Sequence, residues 1–372
     1  MRKVAVFFGG KSYENEISIL TGVFVINLLD REKFQAVPVY IHTDGKMYSS
    51  PRMQDLQLFK AGKQTECERV FFEDGNMYSL NPLKKRIKKL AKIDAILNCC
   101  HGGLGEGGGV SALAEWNNLP LASPDLTSSG VFMDKSTTKL MMRALGVPTV
   151  DYIRVNERDY KKRGAFLLKN IESRLKYPVI IKPAHLGSSI GISLASTEAE
   201  AKTAIETAFQ IDDRVIIEKY LKDKRDVNCG AYMLGGEIFV SEPEESFGAG
   251  VYSFEEKYLK RKTDAPLTKG GGRVLTNTEL REKIRAYTKT VYKRMNLRGV
   301  VRMDFLISEN RVYLCEVNTV PGSLAYYLFC ERISDAKTFF SDLIEDAIVS
   351  YQESEKKITT TGILRTVNLT RK

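Results

Sequence analysis

Residues 4–8 form an unbroken apolar run that stops at Gly9-Gly10, the pattern of a short buried strand. Ile17, Leu20, Phe24 and Leu28 then recur at spacings of three and four and predict one face of a helix. Residues 34–41 predict a second strand, closed by Thr43-Asp44-Gly45. Residues 95–100 predict another, which runs into the glycine-rich stretch 101–109 and a short helix carrying Leu113 and Trp116. This strand–helix–strand alternation predicts a parallel sheet with a glycine-rich loop at a strand's C-terminal end. Residues 46–90 are less regular and carry many charges.

The composition shifts near 120–124. Beyond it the pattern predicts a helix over about 136–145, a strand–loop–strand over 178–194, a helix over about 197–209, and a strand over 214–220 that leads into the charged turn 222–226. Strands over 227–233 and 237–241 flank Gly235-Gly236, a hairpin signal. A second hairpin spans 300–317 across Ser308-Glu309-Asn310. Residues 244–272 read as a long polar loop, and such loops are usually functional or disordered. Leu280, Ile284, Tyr287 and Val291 mark a helix with Thr276 or Thr278 as its cap. Phe340, Leu343, Ile344, Ala347, Ile348 and Tyr351 give a closing helix face, and the tail from about 353 is polar.

A chain of 372 residues accommodates two or three domains, and 43% hydrophobic with 27% charged residues is globular composition. No stretch approaches the roughly 18 consecutive apolar residues of a membrane-spanning helix. The apolar run at residues 4–8 reads as a strand and not a signal peptide. The net charge of +10 comes from scattered basic residues; the runs Lys84-Lys85-Arg86 with Lys88-Lys89, and Lys260-Arg261-Lys262, have no aromatic platform interleaved. That favours an anionic small molecule over nucleic acid. None of the six cysteines forms a CxxC pair. Cys99, Cys100 and Cys315 fall in apolar runs as free thiols, which points to a reducing cytoplasm.

The last hairpin carries the strongest chemical signal. Side chains alternate faces along a strand, so Arg302 and Asp304 point one way, and Glu316 and Asn318 share a face of the partner strand. Carboxylate and amide oxygens converging there suit Mg²⁺, with Arg302 placed to neutralise phosphoryl charge; a solvated face of cross-strand ion pairs is the structural alternative. Lys182 is a lone charge in the apolar run 177–183, and a buried lysine calls for an anionic partner. The small-residue loop that follows, with Gly187, Ser188, Ser189 and Gly191, offers amides and hydroxyls for phosphate oxygens, or is a plain hairpin turn. Three histidines make a histidine-based metal site improbable, and no GxSxG elbow supports serine hydrolase chemistry.

Taken in order, several segments resemble the D-alanine–D-alanine ligases of the ATP-grasp superfamily. The resemblance runs from about residue 3 to about 330. It is carried by Phe8-Gly9-Gly10-Lys11-Ser12 with Glu14, His101-Gly102-Gly103 with Gly105-Glu106, Met133-Asp134-Lys135, Lys182-Pro183 through Gly187-Ser188-Ser189, Glu256-Lys257-Tyr258, Arg302-Met303-Asp304-Phe305, and Glu316-Val317-Asn318-Thr319 with Pro321-Gly322. It implies an α/β (α+β) three-domain ATP-grasp fold: an N-terminal parallel-sheet domain over 1–120, a central lobe over 121–212, a C-terminal lobe over 213–352 with the metal site and a lid loop, and a tail over 353–372.

The resemblance also implies an ATP-dependent ligase that joins D-alanine to D-alanine for peptidoglycan precursors. Lys135 and Lys182 would contact ATP phosphates, and Ser189 and Lys257 would also bind the nucleotide. Glu218, Lys219, Tyr220 and Leu221 would line the adenine pocket, with Asp226 as a nucleotide-binding acid. Asp304, Glu316 and Asn318 would hold two Mg²⁺ ions, or Mn²⁺. Glu14 would bind the first amino acid's ammonium with Ser188 and Tyr258 beside it, and Arg302 would stabilise the acyl-phosphate step. His101, Gly322 and Tyr327 would face the amino-acid substrates. The implied partners are these small molecules, without nucleic acid or membrane, and the implied assembly is a homodimer. Two positions depart from the family. Gly107 stands where an aspartate is usual, and Tyr327 stands where a serine binds the second substrate's carboxylate. The alternatives are therefore a related ATP-grasp carboxylate–amine or hydroxy-acid ligase with another second substrate, and, from a different class, a non-catalytic nucleotide-binding protein.

Overall fold

The computed structural model describes residues 1–81, 86–245 and 273–354. The predicted lid segment with Lys257 and Tyr258, and the tail beyond 354, lie outside the described residues. Among the described residues, no helix is long and apolar enough to cross a membrane.

Three sheets organise the chain. The first contains β1 (Arg2–Gly9), β2 (Phe34–Ile41), β3 (Met47–Ser49), β4 (Glu68–Glu73), β5 (Asn76–Asn81), β6 (Arg86–Lys92), β7 (Ala95–Asn98) and β8 (Leu121–Ala122), in the order β6-β5-β4-β3-β2-β1-β7-β8. Strands β2, β1, β7 and β8 run parallel, as the alternation predicts. The irregular 46–90 region adds antiparallel strands to one edge. Strand β1 is buried on both faces, Val4, Val6 and Phe8 in one core and Ala5 and Phe7 in another, hence its unbroken apolar run.

Helix α1 (Asn15–Leu28) follows β1. Its buried face includes Ile17, Ser18, Thr21, Gly22, Val25 and Ile26; Leu20, predicted on the core face, is exposed. The helix turns this way because Gly22 lies flat on β1, where any Cβ would collide with the Phe8 ring. Ser18 fixes the same face, accepting from the Gly9 amide and donating to the Cys99 carbonyl, each at 2.7 Å. Short helices α2 (Leu56–Lys60) and α3 (Val110–Trp116) complete this part; Trp116, at the end of α3, is 89% exposed.

The second sheet, order β11-β10-β12-β9, is antiparallel and contains β9 (Tyr152–Asn156), β10 (Val179–Pro183), β11 (Ser193–Ala195) and β12 (Arg214–Lys219). Helices α4 (Leu126–Met133) and α5 (Lys135–Ala144) precede it; α6 (Glu157–Arg174) and α7 (Glu198–Ala208) cover it. Strand β8 pairs β7 in the first sheet, and β12 pairs both β10 and β9, because its Val215 and Ile217 complete the same core.

The third sheet contains β13 (Arg225–Leu234), β14 (Glu237–Val240), β15 (Glu244–Glu245), β16 (Arg273–Val274), β17 (Val301–Ser308) and β18 (Arg311–Asn318), in the order β16-β15-β13-β17-β18 with β14 on β13. Helix α8 (Thr278–Arg294), capped by Asn277 instead of a threonine, packs on it. The last helix, α9 (Ala336–Ser354), returns to the first sheet, where Phe339, Phe340, Leu343 and Ile344 share a core with Val4, Val6 and Phe8.

Candidate active site

Residues carried by all three sheets meet in one region. Glu14 precedes α1 and receives a hydrogen bond from Ser188 of the β10–β11 loop. Its carboxylate is cradled by glycines: a Cβ on Gly102 would fall 2.5 Å from Glu14 Oε2, and one on Gly187 would fall 2.8 Å from it. The spacing of these glycines in two distant segments is thus explained by one side chain. Ser188 and Ser189 both adopt left-handed backbone, φ 51° and 60°.

Lys182, nearly buried in β10, has the anionic partner its setting requires: Glu218 Oε2 at 2.7 Å. Glu218 also pairs Lys139 Nζ at 3.0 Å. Burial would raise the Glu218 carboxyl, but Lys139 and then Lys182 hold it down at about 2. Glu218, expected to line an adenine pocket, is 4% exposed and engaged by two ammonium groups. Of the following residues, Lys219 is exposed and Tyr220 and Leu221 half-buried, while Asp226 pairs with Lys224 at 2.6 Å. Lys135 opens α5, donates to the Leu186 carbonyl at 2.5 Å and stands 3.9 Å from Glu316 Oε2.

On the last hairpin, Asp304 lies opposite Glu316 and Arg302 opposite Asn318. The register then slips by one, so that Cys315 is the extra residue of a bulge. Cys315 is half-buried, its Sγ 3.8 Å from Lys182 Nζ, instead of packing as a core thiol. Arg302 grips Asp304 with two donors, at 2.7 and 2.9 Å, and Asn318 Nδ2 donates to Asp304 Oδ2 at 3.1 Å. Burial disfavours the Arg302 cation, yet Asp304 and Tyr327 hold its pKa above the ordinary value. Two carboxylates and an amide on adjacent strands form a hard, all-oxygen donor set, which fits Mg²⁺ or Mn²⁺. His185, Asp212 and Asp213 also bring polar atoms within 4.8 Å of one another, but there the carboxylates are paired with the His185 ring and with Arg214.

Tyr327 points at the same arginine, whose Nη1 donates to its phenol oxygen at 3.1 Å. It is presented by the turn Gly322–Leu328, in which Ser323, Leu324 and Ala325 are all left-handed, φ 50°, 52° and 48°. Each such residue costs about 1–2 kcal/mol, so the turn must be held from outside. His101 and Thr21 do this. The Val320 carbonyl can only accept, so His101 Nδ1 carries the proton at 2.7 Å; Nε2 then accepts from Thr21 Oγ1 at 2.8 Å, and Thr21 accepts from the Ser323 amide at 3.2 Å. Burial, against the Val320 bond and with help from Arg302, lowers His101 to about 4, so the ring is neutral. His101, expected to face substrate, has both nitrogens engaged by protein atoms. Glu106 adds a second tie, accepting from the amides of Gly102 and Val320. Burial and then the Glu14 charge push Glu106 up to about 7. Sequence alone assigns no role to Lys139, Thr21, Asp212 or Arg214; only the spacing of Lys135 and Lys139, one helical turn apart, signals any of them.

Known proteins resemble this chain in sequence and fold. Models described as the D-ala D-ala ligase N-terminus and C-terminus match residues 3–124 and 141–349. A D-alanine–D-alanine ligase of Thermosipho africanus is 33% identical, over 96% of this chain and 96% of its own. The solved D-alanine–D-alanine ligase of Helicobacter pylori superposes with a TM-score of 0.74 at 26% identity, covering 93% of this chain and 98% of that one. The VanG D-Ala:D-Ser ligase of Enterococcus faecalis does so with 0.72 at 25%, covering 94% and 99%. The fold is that of an ATP-grasp enzyme. Within that class, the chain belongs to the D-alanine–D-alanine ligase family.

Proposed function

We propose that this protein is an ATP-dependent ligase that joins D-alanine to D-alanine, for peptidoglycan precursor synthesis in the cytoplasm. The observation that supports the reading is the hydrogen bond from Ser188 to Glu14, which brings the carboxylate we assign to the ammonium group against the loop we assign to phosphate. We read the chain as three units, one around each sheet, and take a homodimer as the family expectation.

A carboxylate must be activated before an amine attacks it. The first D-alanine's carboxylate oxygen attacks the γ-phosphorus of ATP and ADP departs. The second D-alanine's amine then attacks the acyl carbon and expels phosphate. Glu14 holds the first ammonium group. Lys135, Lys182 and the 187–191 backbone, with Ser189, hold phosphate oxygens. Arg302 stands ready for charge developing at the transferred group, and Gly322, where an added Cβ would meet open space, belongs with the amino-acid substrates. Asp304, Glu316 and Asn318 would hold Mg²⁺, which supplies charge neutralisation on the phosphates. Lys257 and Tyr258 belong to the same reading.

The Arg302–Tyr327 contact favours a second reading, a ligase of the same chemistry with another second substrate, because a bulky phenol borders the reacting group. One experiment separates them: incubation with Mg·ATP and D-alanine, alone and with a panel of amino acids, hydroxy acids and amines, followed by mass analysis. D-alanyl-D-alanine formed from D-alanine alone, undiminished by the panel, supports the first reading. A mixed product in its place supports the second, and no D-alanine-dependent ADP release refutes both.

A further inference from the structure

The start of α5, with Lys135, and the 184–191 loop, with Ser188 and Ser189, are joined by a charged network. The His185 amide donates to Asp212 Oδ2 at 2.7 Å, and its ring Nδ1 meets Asp212 Oδ1 at 2.8 Å. Its Nε2 faces Asp134 Oδ2 at 3.6 Å. Asp134 is the N-cap of α5, accepting from the Ser136 and Thr137 amides, and is 5% exposed. Arg214, the first residue of β12, donates its Nη1 to Asp134 and its amide to Asp212. Asp213 is mostly exposed and lies 3.8 Å from Arg214 Nε. At the same junction the Lys135 amide donates to the Ala184 carbonyl at 3.0 Å.

A neutral imidazole has one N–H and can donate to one carboxylate only; the imidazolium has two and can span both. We propose that His185, protonated, is a positioning residue for ATP: it clasps the 184–191 loop to the α5 N-terminus and so fixes the spacing of Lys135 from the loop's phosphate-facing groups. This rests on the reading that those groups bind ATP. The Asp134 carboxylate and then the Asp212 carboxylate outweigh burial and raise His185 from 6.5 to about 9. The raised value means that the clasp is complete at neutral pH and opens as pH rises through about 9.

The test is calorimetric binding of Mg·ATP to the full chain, without D-alanine, from pH 7 to pH 10, with kcat and the ATP KM measured in parallel. His185→Gln keeps one donor and loses the charge. It should raise the ATP Kd about tenfold at pH 7.5, change kcat at saturating ATP little, and flatten the rise in Kd that the parent shows between pH 8 and pH 10. His185→Lys, which restores a cation, should recover part of the affinity and move the alkaline rise upward. An ATP Kd for His185→Gln within twofold of the parent, with the same alkaline rise, overturns the proposal. If the variants do not fold, a parent Kd that stays flat from pH 8 to pH 10 overturns it. Absence of ATP binding to the parent at pH 7.5 would instead refute the nucleotide reading on which it rests.

Discussion

The two ends of the site bury cations, two lysines at one and an arginine at the other, and treat them differently. At the end proposed to meet phosphate, one buried carboxylate, Glu218, is shared by Lys139 and Lys182, so these pairings leave one positive charge in excess. At the hairpin end, Arg302 is matched by Asp304 through two hydrogen bonds and by the Tyr327 phenol through a third. The first arrangement suits attraction of a polyanion. The second leaves little net charge and suits orientation, because a fork held at three points presents its remaining N–H groups in one direction.

The sharpest way to break this comparison is at the donor set between the two ends. Glu316→Gln should cut turnover about a thousandfold or more while the melting temperature stays close to the parent's, since Glu316 is half-buried and packs no core. Near-parental Mg²⁺-dependent turnover in that variant would remove the metal assignment. A smaller effect is expected at the phosphate end. Lys135→Ala and Lys182→Ala should each weaken ATP binding by about 1–3 kcal/mol, read by calorimetry, with the D-alanine constants moved less. Unchanged ATP affinity in both would contradict the excess-charge account. The smallest effect is expected at the other end: Tyr327→Phe removes one hydrogen bond, and should raise the KM of the second amino acid about threefold to tenfold without touching ATP affinity. Equal shifts in both constants would erase the distinction between the ends.

Much of the fold was legible where periodicity is strong. The buried run 4–8 and the hairpins around Gly235-Gly236 and Ser308-Glu309-Asn310 read directly. The face of α1 did not, since Leu20 is exposed while Ser18, Thr21 and Gly22 are buried for hydrogen bonding and close approach. Helix α6 buries only Leu168 and Ile171 over 18 residues, so it has almost no apolar period to show. In the site, the partner of Lys182 could be inferred as anionic, because a buried ammonium demands one, but not identified as Glu218, which approaches only through the β10–β12 pairing. The Arg302–Tyr327 contact depends on three consecutive left-handed residues, and the His185 clasp on a turn 27 residues away; neither has a local signature.

The central claim is that this chain activates D-alanine's own carboxylate with ATP, and it can be tested by following oxygen. With D-alanine labelled by ¹⁸O in the carboxylate, Mg·ATP and the full-length protein, the account predicts that released phosphate carries one ¹⁸O atom for each dipeptide formed. Phosphate whose new oxygen comes only from water would show that ATP is merely hydrolysed and would contradict it.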